Sequence, residues 1–129
     1  MIKVKLTKKG GAQIFKRQFP DPESLIWNNL QFSLDPNCTD YDWLCLIDRG
    51  IHIEKINCNP NKTIFIATEP SSITYYGKNF VKQFGYILTN QSSKNLPHKR
   101  TIRHYPGNHW FYEKPYQKIA NDKPYNKTN

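Results

Sequence analysis

The sequence predicts an α/β domain, a small open sheet with right-handed crossovers and flanking helices, and three observations carry that expectation. Thr63-Ile64-Phe65-Ile66-Ala67 is apolar or β-branched with almost no alternation, as a strand buried on both faces is. Tyr41 to Asp48 is a second such run, with acids near both ends. Between the first run and a short third one, Tyr86-Ile87-Leu88, the residues Ile73, Tyr76, Phe80, Val81 and Phe84 fall close to helical spacing, and Gly85 marks a stop. Strands separated by a helical pattern point to crossover units.

Taken in order, Ile2-Lys3-Val4-Lys5-Leu6 alternates apolar and basic residues and reads as a half-buried first strand, ended by Lys8-Lys9-Gly10-Gly11. A lone Gly-Gly is a weak signal for a phosphate-cradling turn, and a plain turn is the simpler reading. Phe19-Pro20-Asp21-Pro22 is a loop. Leu25 to Leu34 fits a strand or a short helix, with Trp27, Leu30 and Phe32 as its core candidates. Asp48, at the end of the second buried run, stands where ligand-contacting residues of open α/β sheets collect, although an acid there is more often a loop or helix cap. Beyond Thr89, residues 98 to 104 form a basic segment with room for a short strand, and Tyr105 to Tyr112 is an aromatic turn. Glu113 to Asn129 has prolines, lysines and no periodicity, and reads as an extended tail or the start of a linker.

A chain of 129 residues accommodates one domain with a real core. The domain is expected to span 1–112, followed by the 113–129 tail. Mean hydropathy of -0.77 reflects abundant Asn and Lys, and the 14% aromatic content restores buriable area. The net charge of +9 points to an anionic partner: nucleic acid, a membrane surface, or an acidic or phosphorylated glycan. Cys38, Cys45 and Cys58 are odd in number and lack paired spacing, which argues against a disulfide framework and a zinc knuckle. Cys45, inside an apolar run, reads as a core residue. No apolar stretch has the length of a signal peptide or a membrane span, so a cytoplasmic protein, at most peripheral to a membrane, is expected.

The residue with the clearest chemical promise is Glu69. It follows the buried strand directly, and Pro70 behind it restricts its backbone to extended geometry. One carboxylate held on such a corner suits a general base, which must stay within hydrogen-bond reach of the proton it takes. The competing structural reading makes Glu69, Ser71 and Ser72 the amino-terminal cap of the following helix.

The ordered set around it adds a family. A buried strand, Thr68-Glu69-Pro70, Ser71-Ser72-Ile73, a tyrosine, Phe80-x-x-Gln83-Phe84-Gly85 and a strand ending Leu88-Thr89 stand in line. Asp42-Trp43-Leu44 precedes them, and Pro106-Gly107 with Trp110-Phe111-Tyr112 follows. This resembles the N-terminal half of the fucosyltransferase-like family of glycosyltransferases, family ten, over Asp40 to Tyr112. The resemblance implies two Rossmann-like domains of the GT-B type facing across a cleft. The N-terminal one contacts a glycan acceptor, and a C-terminal nucleotide-sugar-binding domain holds the donor, GDP-fucose. It implies Glu69 as the general base of an inverting transfer. Tyr75, Tyr76 and Trp110 would offer ring faces to a sugar, with Arg103 and His104 facing the cleft. Read from the residues alone, such rings more often serve core or surface packing, and the basic segment reads first as a solvated loop packed by its aromatics. The chain is expected to end before the donor domain begins and to be inactive alone; whether a divalent metal assists is left open.

His98, His104 and His109 with Lys99, Arg100 and Arg103 make the densest basic patch. The histidines lack metal-ligand spacing and a carboxylate partner, so no metal site is expected. A second function class remains: a non-catalytic basic module using residues 98 to 112 on nucleic acid or an anionic glycan, with Tyr105 and Trp110 for stacking. No nucleic-acid-binding motif accompanies it, which makes nucleic acid the less favoured partner.

Overall fold

The computed structural model describes residues 1–49, 55–105 and 116–121. Strand β1, Ile2–Lys8, extends the alternating segment by two residues. Its Lys5 is buried, with the ammonium donating to the Pro36 carbonyl at 2.7 Å and standing 5.5 Å from the Tyr41 ring centre. Gly10 and Gly11 have φ of +85° and +93°, a left-handed turn that only glycine makes cheaply. The turn leads into a 3-10 helix, Gln13–Gln18.

Leu25 to Leu34, open between strand and helix in the sequence, is a hairpin: β2, Ile26–Trp27, and β3, Leu30–Ser33. The two-residue loop Asn28-Asn29 explains the choice, since Asn28 takes φ of 54°, the region that tight hairpins need and Asn tolerates. Trp27 is 41% exposed on this outermost strand and does not join the core, whereas Leu30 and Phe32 are half-buried. Phe32 packs on Phe19 at 5.1 Å.

Strand β4 is Trp43–Ile47, and β5, entered through a 3-10 turn at Pro60–Lys62, is Thr63–Ala67. Helix α1 is only Lys78–Val81, much shorter than the helical spacing from Ile73 to Phe84 suggests. Pro70 accepts the amides of Ile73 and Thr74 in a tight turn, and Gly77 is extended, so regular helix is confined to the last part of the connection. Ile73, counted on the apolar face, is 70% exposed. Strands β6, Tyr86–Thr89, and β7, Thr101–Arg103, follow. Helix α2, Tyr116–Asn121, lies in the stretch read as an extended tail; Pro115 just before it and Gln, Lys and Ala within it are compatible with helix.

The seven strands form one sheet in the order β2-β3-β1-β4-β5-β6-β7. All neighbours are parallel except the β2-β3 hairpin. The chain is therefore α/β with a Rossmann-like open sheet, mostly parallel and with few helices. The parallel strands follow the 2-1-3-4-5 order of doubly wound sheets with one strand added, and the sense in which successive strands are added to the sheet switches between β1 and β4.

Both faces of β5 are covered, as its unbroken apolar run predicts. Thr63, Phe65 and Ala67 are completely buried on one face. There Phe65 meets Tyr76 at 4.8 Å and Phe80 and Phe84 at 5.2 Å each, with Leu46, Val81, Ile87 and Leu96 completing the cluster. Aromatic pairs of this kind contribute about 0.5–1.5 kcal/mol each beyond area burial. Ile64 and Ile66, on the other face, pack against Leu6, Ala12, Leu34, Cys45 and Ile47. Burial pushes the Cys45 thiol up to about 12, in keeping with a core cysteine. No described helix is long and apolar enough to cross a membrane.

Candidate functional site

In a parallel sheet every strand ends on the same edge, so the residues just after β4, β5, β6 and β7 stand side by side. Asp48 follows β4 with φ of 56°, held by its backbone amide, which donates a hydrogen bond to the Ile66 carbonyl at 2.8 Å. Its carboxylate reaches across to the end of β5, where Oδ1 accepts the Thr68 amide at 2.7 Å and the Tyr76 hydroxyl at 3.0 Å. The other oxygen accepts the Thr68 hydroxyl. Asp48 thus anchors the β5 exit and has little capacity left for a ligand, the capping use that sequence statistics favour.

One residue further, Glu69 is half-buried. Its carbonyl accepts the side-chain amide of Gln91 at 2.7 Å, and its carboxylate has no hydrogen bond or ion pair among the described residues. No helix starts at Ser71, so the capping alternative does not describe this acid: α1 begins at Lys78 with Gly77 as its cap. An unengaged carboxylate on a fixed backbone can accept a hydrogen bond from, or take a proton from, a hydroxyl brought to this edge.

The other expected residues distribute unequally. Gln91, almost completely buried just beyond β6, ties several of them together. Its side-chain amide also approaches the Thr74 carbonyl at 3.4 Å, and its own carbonyl accepts the Arg103 guanidinium. One residue therefore separates the Glu69 backbone from Arg103. His104 continues the same edge, its amide bonded to the Thr89 carbonyl at 3.2 Å. Tyr75 is 66% exposed, with a ring free to meet a ligand. Tyr76 is 4% exposed; its ring is enclosed by Phe65 and Phe80, which leaves no face for a sugar. Burial, then the Asp48 charge, raises its hydroxyl well above the ordinary tyrosine value. Trp110 lies outside the described residues, as do His109, Phe111 and Tyr112.

The basic segment does not form one face. Arg103 and His104 sit on the carboxyl edge, whereas His98, Lys99 and Arg100 precede β7 and sit on the amino edge. There, with Asn61, Lys82, Phe84, Gly85, Ser93 and Pro97, they line a groove of about 920 Å³. At the β1 turn the Gly11 amide is engaged by the Lys8 carbonyl at 3.0 Å, which removes one donor that a phosphate cradle needs. Among the described residues no three His, Cys, Asp or Glu side chains converge as metal ligands do.

Gln91 was absent from the residues singled out in the sequence. Its only advance signal is its place two residues beyond a buried strand. No family model, curated protein or solved structure matches this chain.

Proposed function

We propose that this domain serves a sugar-transferring enzyme as its acceptor-side half, with Glu69 as the general base that deprotonates the acceptor hydroxyl in an inverting transfer. The observation that carries the reading is the Glu69 corner. A carboxylate with no partner among the described residues stands at the carboxyl edge, where open α/β sheets hold ligands; the Thr68 amide before it is tied to half-buried Asp48, and its own carbonyl to buried Gln91. Arg103, one hydrogen-bonded step away, supplies a cation, and exposed Tyr75 supplies a ring for the sugar. The fucosyltransferase-like resemblance supplies the rest: the GT-B arrangement, a partner domain for the donor, and GDP-fucose as that donor.

The test has two readouts. Saturation-transfer NMR with fucose-accepting oligosaccharides on this chain should mark acceptor protons, with amide shifts concentrated at Glu69, Tyr75 and Gln91. In the two-domain enzyme, Glu69→Gln should lower kcat about 10²–10⁴-fold with an unchanged melting temperature. Near-normal turnover overturns the base assignment, and acceptor binding that leaves those amides unmoved overturns the site.

A further inference from the structure

The amino-edge groove is on the opposite end of the sheet from Glu69 and plays no part in the reaction above. We propose that it binds an oxyanion, a phosphate or sulfate ester on a small ligand, with Lys82, Lys99 and Arg100 as the recognising cations.

The three cations come from two separate parts of the chain, Lys82 just after α1 and Lys99-Arg100 just before β7, and the fold brings them to one concavity. No acidic side chain lines the groove among the described residues, and none of the three cations has an ion pair there. Gathering like charges around a concavity without a counter-acid raises the energy of the empty domain, and an anion relieves it.

Arg100 is also set in advance. Its guanidinium lies over the Tyr86 ring at 5.4 Å, and Nη1 donates to Asn61 Oδ1 at 3.3 Å. Its amide donates to His98 Nδ1 at 3.1 Å, so Nε2 of that ring carries the hydrogen and donates to the Phe84 carbonyl at 2.9 Å. Asn61, Phe84, His98 and Arg100 are thereby joined into one frame. A planar cation held in place loses less freedom on binding an oxyanion than a loose one does. Gly85 keeps the floor tight, since a Cβ there would stand 2.6 Å from the Asn61 carbonyl oxygen. Ser93 and Asn61 offer neutral hydrogen bonds beside the charges, and Phe84 and Pro97 give the wall an apolar part suited to the ligand's carbon skeleton.

The rival explanation is the overall charge of +9, which attracts any anion. Calorimetric titration of the full chain with tripolyphosphate and, separately, with a sulfated disaccharide separates the two. Saturable one-site binding of either probe is expected, and the tighter of the two names the source of the oxyanion. Lys82→Gln/Lys99→Gln, two exposed side chains outside the core, should weaken it about tenfold. Lys9→Gln/Arg17→Gln, which removes the same charge far from the groove, should leave it within about twofold. Thermal melts check that both variants fold. Equal weakening by the two double variants, or an oligonucleotide bound where neither small probe is, overturns the proposal.

Discussion

The two ends of this sheet put their polar groups to different uses. At the carboxyl edge, polar side chains hold the loops: half-buried Asp48 takes the Thr68 amide, and buried Gln91 takes hold of Glu69 and receives Arg103. At the amino edge close backbone packing of Gly85 against Asn61 joins a bond from the Gly85 amide to Oγ1 of buried Thr63 at 2.8 Å, while the cations stay exposed. The first construction fixes the position of one acid to within a hydrogen bond. The second fixes a surface and leaves its charges to gather a ligand. A residue's consequence on mutation therefore depends on which edge it serves, and five substitutions at four positions probe that difference.

The largest effect is expected on turnover. Under the proposed function Glu69→Gln keeps the shape and removes the proton acceptor, so kcat of the enzyme completed by a donor domain should fall about 10²–10⁴-fold while stability stays within about 0.5 kcal/mol. Urea unfolding alongside the assay checks both halves. A loss of stability matching the loss of rate would assign Glu69 a structural task and erase the contrast with Asp48.

Next comes Asp48→Ala, which removes the acceptor for the Thr68 amide, the Thr68 hydroxyl and the Tyr76 hydroxyl, and places alanine at φ of 56°. Loss of about 2–4 kcal/mol is expected, read from the urea midpoint. Asp48→Asn keeps an acceptor and tolerates the backbone, so its cost should be about half as large. At the other edge, Gly85→Ala drives a methyl into the Asn61 backbone and should cost about 1–3 kcal/mol. It should also weaken oxyanion binding in the groove, which Asp48→Ala should leave alone in the folded protein.

How much of this was legible beforehand follows from what each feature depends on. Strands β4, β5 and β6 were readable because burial on both faces demands local apolar runs. Helix α1 was over-read: Tyr76, Phe80, Val81 and Phe84 do converge on Phe65, but a turn and a few helical residues bring them there, and spacing alone does not tell a wrapped loop from a helix. The Glu69 corner was readable because the strand, the acid and the proline are contiguous. Gln91 was not, since its task arises from β6 lying between β5 and β7, and neighbour order is a property of the sheet. The basic segment looked like one patch for the converse reason. The three residues of β7 span about 10 Å and carry the chain from one edge to the other, so adjacency in sequence became separation in space.

The smallest effect, Tyr76→Phe, tests how the carboxyl-edge network is coupled to the core beneath it. The hydroxyl donates to Asp48 Oδ1, which also holds the Thr68 amide, so the carboxylate is not left bare and the cost near neutrality should be about 0.5–1.5 kcal/mol. Its pH dependence is the sharper readout. Burial and Asp48 raise the Tyr76 hydroxyl above its ordinary 10.0, and burial raises Cys45 from 9.0 to about 12. Each group is more easily ionised in the unfolded chain. Its contribution is therefore complete below the unfolded value and is lost as pH rises toward the folded one. The wild-type chain should weaken from about pH 9 upward, and Tyr76→Phe should weaken less steeply because one of its two buried titrations is gone. Urea midpoints at about pH 7 and about pH 10.5 should show the gap between the two proteins closing. A gap that stays constant would mean that the Tyr76 hydroxyl reaches solvent, and that the anchor at Asp48 stands free of the aromatic cluster around Phe65.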